Sequence, residues 1–124
     1  MRIILALFTS FIFGCGQDLN SNSFDELESK VVEIDTSTPA GVRLAKAYGV
    51  LKDNCMNCHS AYHSNWYDYN TDAKWLSDGV VLEGDFSGSD LISRLKNYGG
   101  DMPKGSSSIS QAEVDSLQDW IDNI

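Results

Sequence analysis

The chain has 124 residues, 42% of them hydrophobic, and a net charge of −9 from 9 basic and 18 acidic side chains. That length suits one small domain and leaves no room for a second sizeable core. A surface this acidic repels phosphate backbones, which sets nucleic-acid binding aside, and three cysteines, an odd number, do not make a disulfide scaffold.

Met1 and Arg2 give a short positive start, followed by an almost unbroken apolar run over residues 3–13. The run is too short to cross about 30 Å of hydrocarbon as a helix, which takes about 20 residues. Its proportions are those of a secretory signal. Ile12-Phe13-Gly14-Cys15 resembles a bacterial lipobox, with Phe13 departing from the small residue usual at that place. The resemblance implies removal of residues 1–14 as a lipoprotein signal peptide and lipid on the thiol and new amino terminus of Cys15. The mature protein is then exported and held on a bacterial membrane facing the periplasm. Gly16 rather than Asp after the cysteine favours the outer membrane by the same analogy. A plain secretory signal cut nearby would instead leave Cys15 a free thiol. Residues 15–37 are mostly polar and form the lipidated Cys and a flexible tether, with a mean reach of about 25 Å as a coil. A short docked strand through Val31, Val32 and Ile34 is the alternative for its last part.

Residues 38–124 predict an all-α domain of three to four short helices and long loops. Thr38 is a good N-cap and Pro39 suits the first helical position. The helix that follows runs through residue 54, and Leu44, Tyr48, Leu51 and Cys55 line one buried stripe. Residues 60–87 carry Trp66, Tyr67, Tyr69, Trp75 and Leu76 among many turn-formers, without a sustained period, and predict a loop with one or two short turns. A second helix is expected after Ser89-Asp90, with Leu91, Ile92 and Leu95 as its apolar residues and an end before Gly99-Gly100. The last helix starts at Ser110. Ser110 and Glu113 make a capping box, Ile109 and Val114 a hydrophobic staple, and Val114, Leu117, Trp120, Ile121 and Ile124 an apolar face. A domain this small buries little apolar surface. A large apolar cofactor inside the long loops would relieve the shortage.

Cys55-Met56-Asn57-Cys58-His59 points to that cofactor. Cys-x-x-Cys-His is the attachment signature of c-type haem. Two thiols at this spacing can each add to a vinyl group of one porphyrin, and the next residue then lies beneath the ring, where His59 can ligate iron. Export fits, because bacterial haem attachment takes place outside the cytoplasm. Three other readings compete. A thioredoxin-like pair wants a βαβ context, which the pattern lacks. A zinc-binding mini-domain would draw on Cys55, Cys58, His59 and His63, bunched within one short segment. A disulfide at this spacing closes a very small loop and constrains the unfolded chain little. Elimination supplies the opposite ligand. Met56 lies between the two anchoring cysteines and cannot reach across a porphyrin, which leaves Met102. It stands in Gly99-Gly100-Asp101-Met102-Pro103, where glycines allow close backbone approach and Pro103 stiffens the strap. A thioether suits haem iron and raises its potential; an ordinary apolar gap-filler is the plainer role for Met102. His63, four residues after His59, is the rival: on a continuing helix it shares the His59 face and lies on the same side of the ring, which makes it a surface or propionate-side residue, with His/His ligation the alternative.

With these pieces in order, residues 38–124 look like a small class I c-type cytochrome domain of the single-haem bacterial kind. The matching stretches are Cys55-Met56-Asn57-Cys58-His59, residues 83–95, Asp101-Met102-Pro103 and residues 110–121. The resemblance implies a cytochrome c-like fold wrapped around one covalent haem c. It also implies a near-perpendicular crossing of the first and last helices with Trp120 at the contact, and packing of Leu91 and Leu95 against the haem. Leu51 stands where an aromatic is usual and Ala47 where a glycine is usual, which predicts a looser crossing. No proline lies between His59 and Met102, so another carbonyl must accept the axial ring N–H. The expected role is single-electron transfer between redox proteins, not enzymatic turnover, and no small-molecule substrate is implied. Partners with basic docking faces suit the acidic surface. A haem-based ligand-binding or sensor module with a labile sixth ligand, or an electron-transfer subunit of a larger oxidoreductase, is the alternative. For the membrane tether, cells fed a labelled fatty acid are expected to label the parent protein and not Cys15→Ala; an unlabelled parent refutes the lipid anchor.

Overall fold

The computed structural model describes residues 33–60 and 65–124. They form four α-helices, α1 (Pro39–Asn54), α2 (Asp72–Ser77), α3 (Asp90–Ser93) and α4 (Gln111–Ile121), with 3-10 turns at Trp66–Asp68 and Lys96–Tyr98. Among the described residues β-pairing is confined to two isolated bridges, Leu82 with Asp85 and Leu95 with Met102, so the class is all-α. None of these helices is long and apolar enough to cross a membrane. The signal and lipobox residues, Cys15 included, lie outside the described residues.

The two long helices start where their capping residues dictate. The Thr38 hydroxyl accepts the Gly41 N–H at 3.1 Å, and Pro39, which has no N–H to orphan, opens the first turn. α1 buries Leu44, Ala47, Tyr48 and Leu51 on one stripe. At α4 the Ser110 hydroxyl accepts the Glu113 N–H, and the Glu113 carboxylate accepts the Ser110 N–H at 2.7 Å, a complete capping box. The same carboxylate accepts the Asn54 side-chain amide at 2.9 Å, so the end of α1 is fastened to the start of α4. The two helices pack together, and Val114, Leu117, Trp120 and Ile121 face the core.

Two stretches depart from the sequence expectation. Residues 60–87, expected as loop with one or two short turns, contain the helix α2. It is under two turns long, too short to display a period, and Thr71 supplies no side-chain cap. Tertiary contacts hold it instead: Trp75 is fully buried, and the Asp72 carboxylate accepts the Trp120 indole N–H at 2.8 Å. The second expected helix stops after Ser93. Leu95 is extended at φ −71°, ψ 140°, because the Arg94 carbonyl and the Lys96 N–H on either side of it bond to Met102 rather than along a helix. At the amino-terminal edge, Ile34 already packs on the core and the Glu33 carbonyl accepts the Asn70 side chain.

Hydrogen bonds from the Ser110 side chain and backbone, and then from Asn54, hold the Glu113 carboxyl below its usual value of 4.5. A depressed carboxyl stabilises the fold above that value, and the contribution is lost as pH falls through the lower folded value. Glu113→Gln is therefore expected to flatten the acid-side fall in urea midpoint below about pH 4.5. Ser110→Ala is expected to lose about 1 kcal/mol at neutral pH.

Candidate functional site

The last turn of α1 builds one half of the site. The Leu51 carbonyl accepts two N–H groups, from Cys55 at 2.8 Å and from Met56 at 3.0 Å, and the chain then leaves the helix. The Cys55 carbonyl in turn accepts the N–H of Cys58 and of His59, each at 3.1 Å. Five residues are thereby wound into one tight turn. Met56 points inward and is fully buried, which roots the turn in the core. Cys55 is half-buried and packs against that core, while Cys58 is exposed; both thiols are free. Burial, with smaller contributions from Cys58 and Glu113, pushes the Cys55 thiol up to about 11. It is a protonated thiol at neutral pH.

His59 closes the turn. Its ring stacks on Trp66 with centroids 4.1 Å apart and planes inclined by 13°. The Trp66 N–H donates to the His59 carbonyl at 3.0 Å, so backbone and side chain fix this pair together. Behind it lies an aromatic core in edge-to-face contact. Trp66 meets Trp75 at 5.3 Å, and Trp75 meets Tyr69 at 4.9 Å and Trp120 at 5.6 Å. The Trp75 indole N–H donates to the Tyr69 carbonyl at 3.0 Å.

The strap around Met102 builds the other half. The Met102 N–H donates to the Arg94 carbonyl at 2.9 Å, and the Met102 carbonyl accepts the Lys96 N–H at 2.7 Å. Leu95 sits between the two bonded residues. Gly99 turns the chain at φ 89°, and Gly100 donates its N–H to the Leu95 carbonyl at 2.9 Å. A Cβ at Gly100 would overlap the Arg94 backbone, so only glycine lets the strap lie this close. Met102 itself is half-buried. Leu91 and Leu95 are buried in the cluster that also holds Leu51 and Met56, so the two halves border one core.

The structure thus gathers Cys55, Cys58 and His59 into one turn and fastens Met102 beside Leu95. Trp66 and Trp75 belong to the core. His63 lies outside the described residues, and with it the fourth ligand of the zinc reading. Among the described residues no three His, Cys, Asp or Glu side chains gather closely enough to hold a metal ion. The donor set suits a porphyrin: two unbridged thiols at the attachment spacing, an imidazole beside them, and a thioether on a strap. Sequence reasoning missed the His59–Trp66 stack and the fit of Gly100 against Arg94. The paired glycines were a legible signal for the second; the first depends on a tertiary turn. No protein-family profile, no curated protein and no solved structure matches this chain.

Gly100→Ala is expected to lose about 1–3 kcal/mol of stability through overlap with Arg94. Gly49→Ala, inside α1 with nothing near the added methyl, is expected to gain about 0.5–1 kcal/mol. Urea denaturation of the two variants beside the parent measures both, and equal midpoints for Gly100→Ala and the parent would contradict the strap geometry.

Proposed function

We propose that the chain is a membrane-tethered c-type cytochrome with a cytochrome c-like fold, carrying single electrons between redox proteins. The observation that carries this reading is the turn at residues 55–59, rooted by Met56, which holds two free thiols and an imidazole on one short loop. Cys55 and Cys58 would hold haem c through thioether bonds, each formed by adding a reduced S–H across a vinyl group. His59 and Met102 would bind the iron. The haem supplies a one-electron couple; the residues around it set its surroundings.

Each of those residues has a definable task. Met56 fixes the turn to the core, so the thiols keep their spacing. The stack on Trp66 limits rotation of the His59 ring. Leu91 and Leu95 offer an apolar wall that excludes water, which with thioether ligation favours the reduced state. The two main-chain hydrogen bonds on Met102 and the close fit of Gly100 hold the strap in place. That restraint favours a fixed sixth ligand, hence the carrier over the sensor with a labile one.

The exposed surface bears Asp53, Asp68, Asp78, Asp85, Asp115, Asp119 and Asp122. Pairs such as Arg94 with Asp90 and Lys104 with Asp101 offset only part of the acidic charge. Such a surface suits partners with basic faces and associations that weaken as salt rises. A lipid on Cys15 and the tether would keep these encounters close to the membrane of the periplasm.

Maturation of the full chain with the haem-attachment machinery is expected to give a coloured protein heavier by one haem. Cys55→Ser/Cys58→Ser is expected to lose both the mass and the colour. Met102→Ala is expected to keep the covalent haem, lose the thioether–iron charge-transfer band and bind carbon monoxide readily. A colourless parent overturns the reading, and a parent that binds carbon monoxide as readily as Met102→Ala turns it toward the sensor.

A further inference from the structure

Beyond electron transfer at a haem, the aromatic core has an order of its own. It starts at His59, whose ring lies on Trp66 at 4.1 Å, passes to Trp75 at 5.3 Å and reaches Tyr69 at 4.9 Å. Each step is a ring-to-ring contact, short enough for an electron to cross without an intervening bridge. The far end differs chemically from the middle. The Trp75 indole N–H is bonded to a neutral backbone carbonyl, the Tyr69 carbonyl, which is a poor proton acceptor. The Tyr69 hydroxyl donates to the Asp78 carboxylate, at the surface. A phenol gives up an electron far more readily when its proton has a base to go to, and Asp78 is that base.

We infer that Trp66, Trp75 and Tyr69 form a relay that carries one oxidising equivalent from beside His59 to the Tyr69–Asp78 pair. An oxidant of the peroxyl-radical class, arriving at the His59–Trp66 face, takes an electron from the Trp66 indole and leaves as the peroxide anion. Trp75 refills Trp66, and Tyr69 refills Trp75. As Tyr69 loses its electron, its phenolic proton passes to Asp78, which leaves a neutral phenoxyl radical and a neutral carboxylic acid. The oxidant has gained one electron. A soluble reductant of the ascorbate class returns an electron to Tyr69, and Asp78 returns the proton. Trp120, which also contacts Trp75, is a competing terminus, since Asp72 accepts its indole N–H. Trp120 is buried, however, at 1% exposure, whereas Tyr69 reaches solvent-borne reductants. The relay drains damaging oxidation away from the His59 face of the core. It is defined by the three rings and Asp78 and does not rest on the haem reading; a colourless protein would leave it standing.

The test places a photo-oxidant at the Trp66 end. Asn65 is exposed and precedes Trp66, so the mature full chain with Asn65→Cys is labelled there with a ruthenium polypyridyl complex. Peptide mapping by mass spectrometry confirms one label, at position 65 and not at Cys15, Cys55 or Cys58, and ferricyanide oxidation beforehand removes any competing electron donor. After a laser flash in the presence of an oxidative quencher, a tryptophanyl absorption is expected first. It should decay at the rate at which a tyrosyl signal rises. Tyr69→Phe, which keeps the ring, is expected to lose the tyrosyl signal and leave the tryptophanyl radical long-lived. Asp78→Asn, a surface change, is expected to cut the tyrosyl yield, and Tyr98→Phe to leave it unchanged. A tyrosyl signal that persists in Tyr69→Phe overturns the relay. So does one that rises with no tryptophanyl precursor, one indifferent to Asp78→Asn, or a parent radical that ends on tryptophan.

Discussion

The burial of Trp75 is the contact on which the rest of this small fold depends. Its indole touches the rings of Trp66, Tyr69 and Trp120, and its N–H is satisfied by the Tyr69 carbonyl. One side chain thereby joins the turn after His59, the helix α2 and the last helix α4. Burying so large a ring supplies apolar area that a domain of this size otherwise lacks. The hydrogen bond prevents the indole N–H from being stranded without a partner. The Trp120–Asp72 bond closes the same circuit from the other side. Without this cluster α2 would have no reason to be helical, and Trp66 would have nothing to lean on behind His59.

Around that hub the proposed haem ligands are positioned by backbone more than by side chains. Carbonyls of Leu51 and Cys55 wind the thiol turn, and Arg94 and Lys96 clamp the Met102 strap. Main-chain bonds of this kind survive side-chain substitution, so the geometry belongs to the fold itself. The side chains that matter are those that root or admit the backbone: Met56, which is buried, and Gly100, which has no Cβ to collide with Arg94. The proposed electron carrier and the proposed aromatic relay share His59 and then diverge, one toward the strap and one toward Tyr69.

The parts legible in the sequence were those governed by local rules. Thr38-Pro39 and the Ser110–Glu113 pair announce their helices because a cap acts within one turn, and both helices begin where expected. The 3.6-residue stripe of α1 identified Leu44, Tyr48 and Leu51 as core. The five-residue motif at Cys55–His59 and the Gly-Gly-x-Met-Pro strap singled out the candidate ligands by chemistry and spacing alone. The illegible parts were governed by distant partners. α2 exists because Trp75 and Asp72 meet residues far along the chain, and the helix at Asp90 ends early because Met102 competes for the hydrogen bonds around Leu95. The expected all-α class follows from the local rules and is observed; which face of the thiol turn meets the strap is a matter of tertiary closure that no window of sequence contains.

The clamp on either side of Leu95 also divides the chain into what is constrained and what is free. Both hydrogen bonds to Met102 end on residues flanking Leu95, Arg94 and Lys96, so the intervening segment, residues 97–101, is a closed lobe. Three positions constrain that lobe: the Asn97 side chain donates to the Ile109 carbonyl, Gly99 turns at φ 89°, and Gly100 fits beneath Arg94. Residue 102 and residue 95 form one mechanical unit: whatever shifts the leucine carries the methionine with it.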